Sequence, residues 1–296
     1  MTFAELLEAT RAGAQYVPGL ATVASAPYLF RPFVMLLALA VSAGIAGTLV
    51  NLRRAEFTAE AVSHSVFPGI VAGFIVAGLD GIVPGGAVVG VVAATVLTLA
   101  AQRAAAADEA GTAIVLSTFY AVGLVLSLAH SDKSGQLEAL MFGRLLEVSP
   151  ERLGQALLAC ACAVALLCAT WPAQLAVAYD RVLARASGIR VQRYDAVFNV
   201  AVAATVVAGA SAVGVLLVVG FLVVPAASAR LVARSPRSMA CWATGVAAVS
   251  SYAGMAVAAA PPSRPVSPQA CVVVALLVAL VLTVAGKGLV NRARRH

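Results

Sequence analysis

Charge is scarce in this sequence. Only 11% of its 296 residues are Asp, Glu, Lys or Arg, where a soluble domain carries about a quarter. That deficit excludes an ordinary water-soluble fold. The chain has three histidines, His64, His130 and His296. The last of these ends the chain and is assigned nothing. Five cysteines (Cys160, Cys162, Cys168, Cys241 and Cys271) all fall inside apolar runs with no CxxC spacing. They read as small buried hydrophobes, which argues against a redox or metal role. No GxxxxGK[ST] pattern occurs: Gly286-Lys287-Gly288 lacks both the upstream glycine and the hydroxyl residue, so the chain carries no phosphate-binding loop. No Ser–His–Asp arrangement stands out either, and no further cluster of acids or nucleophiles suggests an enzyme.

What is present instead is apolar length. Hydrophobic residues make up 61% of the chain and mean hydropathy is +0.96. A helix needs about twenty apolar residues to cross the hydrocarbon. Nine runs qualify, at roughly 31–51, 58–79, 82–102, 111–130, 152–171, 195–212, 214–233, 238–260 and 266–286. The expected fold is all-α, a polytopic helical membrane protein with eight or nine spans. Eight would follow if one run were re-entrant, and the least distinct division lies near Ser211–Gly214. The first twenty residues are mildly amphipathic and acidic, without a continuous apolar core, so they do not read as a cleavable signal peptide. Residues 1–30 are expected outside the membrane, 31–290 as one membrane domain, and 291–296 as a basic cytoplasmic tail.

The net charge of +7 is informative through its placement. With nine spans, 14 of the 20 basic residues fall on one side, in loops such as Arg53-Arg54, 181–193 and 230–237. Basic loops stay cytoplasmic, which puts the amino terminus outside and the carboxyl terminus inside. This is a sidedness pattern, not a nucleic-acid patch. The outer connections hold seven acids against six bases, a mouth that tolerates an arriving cation.

Two ionisable residues stand inside a span, away from its ends: Glu60 and His64. Four residues apart on a helix they share one face, and His64 lies about 10 Å into the membrane at 1.5 Å rise per residue. Ionisable groups at such depth usually face a pathway or a partner. Pro68 and Gly69 follow directly, and Pro68 has no N–H for the carbonyl of His64. Backbone irregularity of this kind is tolerated where it lines a cavity or is buried in protein. Carboxylate, imidazole and a freed carbonyl suit Mn²⁺, Fe²⁺ or Zn²⁺ rather than Cu⁺. The alternative is a Glu–His hydrogen bond that fixes helix packing. The pair alone is an incomplete metal site, and a second copy across a two-fold axis would supply the missing ligands. His130 with Asp132 marks a further candidate, an outer capture point. Gly69/Gly73 and Gly86/Gly90 are small-xxx-small pairs suited to close helix approach. Pro225 is expected to kink the seventh span. Between 172 and 194, apolar positions alternate with Asp180, Arg181 and Arg185, and Gly188 is placed to end a short amphipathic helix.

Four stretches, in order, carry a family likeness. Glu60-Ala-Val-Ser-His64 with Pro68-Gly69 comes first, then Asp108-Glu109-Ala-Gly111-Thr-Ala-Ile114, then Leu140-Met-Phe142-Gly143-Arg-Leu-Leu146. The fourth combines Asp180 to Gly188 with Gly214-Val-Leu-Leu217 and Pro225-Ala-Ala-Ser-Ala229. The chain resembles the permease subunits of bacterial manganese/zinc/iron ABC importers over nearly all of its length after residue 28. The resemblance implies a non-catalytic pore subunit of the bacterial inner membrane that works as a pair with a second or homologous permease. It also implies two cytoplasmic ATP-binding subunits, an extracytoplasmic metal-binding lipoprotein, and no permanently bound cofactor beyond the transported divalent metal. Glu60 and His64 then become metal-pathway residues, and Asp180, Ala184, Arg185 and Gly188 belong to the segment that couples to the ATPase. Two departures stand out: Glu60 occupies a position often held by Asp, and Arg144 replaces an acid. Siderophore or cobalamin permeases share the likeness around the coupling loop and Pro225, but large chelates would not need the Glu60/His64 pair. A stand-alone secondary metal transporter should show inverted repeats, and none is convincing.

Overall fold

Prolines set six of the helix starts among the described residues. Helices open with Pro at or beside their first position at Pro27, Phe67-Pro68, Pro150, Trp171-Pro172, Pro236 and Pro268, where the missing N–H is harmless and φ is already helical. A computed structural model describes residues 3–16, 19–103, 108–130, 143, 145–210, 213–259 and 267–293. In chain order the helices are α1 (Phe3–Ala14), α2 (Ala21–Ala24), α3 (Pro27–Arg53), α4 (Glu56–Ser65), α5 (Phe67–Ala77), α6 (Ile82–Arg103), α7 (Asp108–Ala129), α8 (Pro150–Ala169), α9 (Trp171–Tyr179), α10 (Arg181–Ala186), α11 (Val191–Ala210), α12 (Val215–Val232), α13 (Pro236–Ala259) and α14 (Pro268–Ala293). Among the described residues there is no strand.

Among the described residues, each of the nine apolar runs falls largely in helix. Six helical stretches among the described residues are long and apolar enough to cross a membrane, and Leu217–Val232 is a shorter apolar one. One of the six, Glu56–Ala101, contains two of the expected runs. It folds back at a 3₁₀ turn over Gly78–Gly81, where Gly78 takes φ +63°. The hairpin is tight because Gly69 and Gly73 of α5 face the backbone of Gly85 and Gly81. The Gly69/Gly73 pair therefore does what its spacing suggests. Gly86 and Gly90 instead face side chains of α11, Val207 and Ala203.

Helix α3 is the hub. Seventeen of its 27 residues are buried, and α8, α11, α12 and α13 all pack on it. A Cβ on Gly47 would overlap the Leu222 carbonyl of α12, and one on Gly44 would overlap Thr244 of α13. Close approach of this kind replaces the hydrophobic drive that lipid cannot supply. Short polar contacts add direction: Ser42 Oγ and Thr205 Oγ1 lie 2.6 Å apart, and Asn199 Nδ2 donates to Thr98 Oγ1 at 3.0 Å.

The outside of the bundle is apolar. Val88, Val91 and Val92 of α6, Val122, Val125 and Leu128 of α7, and Val281, Leu282 and Leu289 of α14 are all exposed. This surface corrects the reading of the cysteines. Cys160 is buried, but Cys162, Cys168 and Cys241 are exposed and Cys271 is half-buried. An apolar run in a membrane helix does not distinguish the core from the lipid-facing side, because both are apolar.

Candidate transport pathway and candidate docking face

Arg54 takes φ +53°, and its N–H and that of Ala55 return to Asn51 and Val50. This left-handed cap stops α3 and launches α4 one residue later. Helix α4 then ends at Ser65, three residues before Pro68. Val66 donates back to Val62 at 3.1 Å, while the N–H groups of Gly69 and Ile70 both turn to the Val66 carbonyl at 3.0 and 3.2 Å. The chain therefore breaks its helix at the turn that follows His64, and α5 resumes from Phe67.

Glu60 and His64 lie one turn apart on α4, with Glu60 exposed and His64 half-buried. Neither has a hydrogen-bond or ion-pair partner among the described residues. The packing hydrogen bond between them, the alternative reading of this pair, is not formed. The His64 ring meets the edge of Tyr120 on α7, with centroids 5.5 Å apart at 84°. Tyr120 also lies against Phe67 at 5.8 Å. Gly123, one turn further on, admits Phe67 and Pro68 so closely that a Cβ would overlap the Phe67 ring. Helix α7 thus braces the break and orients the imidazole. Ser65 Oγ, next to His64, is buried with no hydrogen-bond partner among the described residues. No group of three or more His, Cys, Asp or Glu converges among the described residues, so one chain presents two donors and an open side.

The other sequence-predicted residues sit apart. His130 is at the far end of α7, its Nδ1 3.1 Å from the Leu126 carbonyl. It is ten residues, about 15 Å of helix, beyond Tyr120. Asp132 lies outside the described residues, as do Arg144 and most of 140–146. Pro225 lies inside α12, which runs from Val215 to Val232.

The 172–194 segment forms two short helices where one was expected. Asp180 divides them: its Oδ1 accepts from the N–H groups of Val182 and Leu183 at 2.8 and 2.9 Å, capping α10. At the other end Gly188 takes φ +81°, with Gly188 N–H on Arg185 O and Ile189 N–H on Ala184 O, both at 3.0 Å. This is the paired closure of a glycine C-cap. Ala184 faces inward, buried with Val177 of α9 and Val191 of α11. The opposite face leaves Tyr179, Val182 and Leu183 exposed at 70%, 76% and 63%, with Arg185 exposed beside them.

Sequence reasoning missed a charged cluster beneath this face. Arg53, at the end of α3, forms an ion pair with Asp195 of α11 at 2.9 Å and donates to Gln174 of α9. Its guanidinium stacks 4.5 Å over the Phe198 ring. Arg181 of α10 reaches the other carboxylate oxygen of Asp195. The signal was visible only as an acid at the edge of an apolar run, Asp195, and as a basic residue at the end of another, Arg53.

A family model described as the ABC 3 transport family matches residues 25–287. The chain belongs to the ABC 3 transport family. Membership makes it a membrane-spanning permease subunit of an ABC transporter. Helix α1 precedes the matched stretch. The chain is 27% identical over 228 residues to the manganese import system permease protein ScaB of Streptococcus parasanguinis, covering 77% of this chain and 80% of that one. It is 31% identical over 172 residues to the chelated iron transport system membrane protein YfeC of Yersinia pestis, covering 58% of each. Its fold matches that of a chain in PsaBC from Streptococcus pneumoniae, solved in complex with Fab, with a TM-score of 0.77, 24% identity, and coverage of 90% and 94%.

Proposed function

We propose that this permease carries a free divalent first-row ion, Mn²⁺ or Fe²⁺, into the cell. The observation that supports this is the pair on α4: a carboxylate and an imidazole one turn apart, unpartnered among the described residues, at a helix break within the membrane domain. Such donors are borderline-hard and match these ions, and relatives are named for manganese and iron. The open side of the pair calls for donors from a second copy or a homologous permease. Residues 1–30 face outside, where a metal-binding lipoprotein delivers the ion, and the tail at 291–296 is cytoplasmic. Tyr179, Val182, Leu183 and Arg185 form the face on which a cytoplasmic ATP-binding subunit seats. The permease itself hydrolyses nothing, because it has no phosphate-binding loop.

The test is uptake of radiolabelled Mn²⁺ by cells that depend on this system. His64→Ala should drop uptake to background while the ATP-binding subunit still co-purifies with the permease. Normal uptake by that variant, at wild-type expression, sinks the pathway assignment. Unlabelled Fe²⁺ should compete with Mn²⁺, with Zn²⁺ run in parallel. Competition by an Fe³⁺ chelate alone would favour a pore for chelated metal instead.

A further inference from the structure

The charged cluster under α10 has no role in the reading above, and its placement is specific. Asp195 sits between two arginines from different elements. Arg53 is buried, with its side chain 6% exposed, and ends α3; Arg181 is 52% exposed and begins α10. Gln174, fully buried on α9, accepts from Arg53 and donates to the Tyr194 carbonyl at 3.2 Å. Four elements therefore meet on one carboxylate and one guanidinium.

Two facts argue that this cluster does more than hold the fold together. First, a buried ion pair contributes little net stability, because desolvation offsets most of the attraction; its best-attested use is to fix register. Second, α10 already has an apolar seat of its own, formed by Val177, Ala184 and Val191. That seat is non-directional. The Arg181–Asp195–Arg53 chain adds a directed link from α10 to the inner end of α3. The path continues: two residues before Arg53, Asn51 accepts from Arg230 of α12 at 2.9 Å and donates to Glu56, the first residue of α4, at 3.4 Å.

We propose that Asp195 is a positioning residue that clasps α10 to the inner end of α3, so that displacement of α10 by a cytoplasmic ATPase is delivered through Arg53 and Asn51 to α4. This rests on the reading of the chain as an importer driven from its cytoplasmic face. Arg181 and Arg53 are the two arms of the clasp. Without the outer arm, α10 can move on its apolar seat while α3 and α4 stay in place.

The experiment uses the complete transporter, permease with its ATP-binding subunits and binding protein, in proteoliposomes. It measures Mn²⁺ delivered and ATP hydrolysed in the same vesicles. Arg181→Ala removes only the exposed arm. It should assemble at wild-type stoichiometry and keep hydrolysing ATP, while Mn²⁺ delivered per ATP falls about tenfold, within the range of ordinary coupling energies. Asp195→Asn should show the same signature or a deeper one, and Arg181→Lys should restore most of the delivery. A merely structural contact would change yield or melting, not the ratio. Wild-type ratios in assembled Arg181→Ala and Asp195→Asn complexes overturn the proposal. Loss of assembly in Arg181→Ala also overturns it, by making Arg181 a docking residue; if only Asp195→Asn fails to assemble, the Arg181→Ala ratio decides. A wild-type complex that hydrolyses ATP and moves no Mn²⁺ refutes the metal reading instead.

Discussion

Asp180→Ala isolates the smallest part of the proposed docking face. Helix α10 has only six residues, far too few to persist by propensity. It stands on three supports: the Asp180 cap, the Gly188 closure and the inward packing of Ala184. Asp180 is exposed and accepts two backbone N–H groups through one oxygen. Replacing such a cap by Ala costs about 1 kcal/mol, roughly a fivefold shift toward the frayed state. Val182 and Leu183 lose their acceptor, and the exposed apolar face loses its fixed shape. Hydrogen exchange on the purified permease reads this directly. Peptides covering 181–186 should exchange roughly fivefold faster, while those covering the buried core of α11 are unchanged. Asp180→Ser, which can still cap, should restore most of the protection. Affinity for the ATP-binding subunit should weaken by up to the same factor, because only the helical fraction is competent to bind. Unchanged exchange at 181–186 would show that α10 is held by its packing alone and would refute the assignment of Asp180 as its cap.

Two further changes probe the bundle. Gly47→Ala drives a methyl into the Leu222 carbonyl and should destabilise the α3–α12 contact by about 1–3 kcal/mol, seen as a lower Tm of the detergent-solubilised protein. Tyr120→Leu removes the edge-on contact with His64 and the Phe67 contact, each worth about 0.5–1.5 kcal/mol. The freed imidazole should raise the KM for Mn²⁺ uptake, and an unchanged KM would show that α7 does not orient His64.

Much of this architecture was legible in the chain because membrane helices advertise themselves locally. Apolar length marked all nine runs, Pro68 marked the break after His64, and the spacing of Gly69 and Gly73 marked a close helix approach, though not its partner α6. What escaped were relations over distance. Arg53 and Asp195 are 142 residues apart, and no period or motif joins them. The division of the 172–194 segment at Asp180 was missed because an aspartate inside an amphipathic pattern reads equally as a polar-face residue or as a cap. The cysteines were misplaced for a different reason: in a bilayer, hydrophobicity says that a residue avoids water and nothing about which neighbour it meets. The contact of Tyr120 with His64 could not be read from spacing either, since the two lie on different helices.

The burial of α3 sets an order on biogenesis. In chain order it precedes the helices that enclose it, α8 and α11–α13, so these are made later. Until they arrive, its small and hydroxyl-bearing flank must face lipid. Thr48 can do so at once, because its hydroxyl bonds the Gly44 carbonyl within the same helix at 2.7 Å. The cross-helix contact of Ser42 must wait 163 residues for Thr205. The carboxyl-terminal half of the polypeptide thus supplies most of the cover that buries α3.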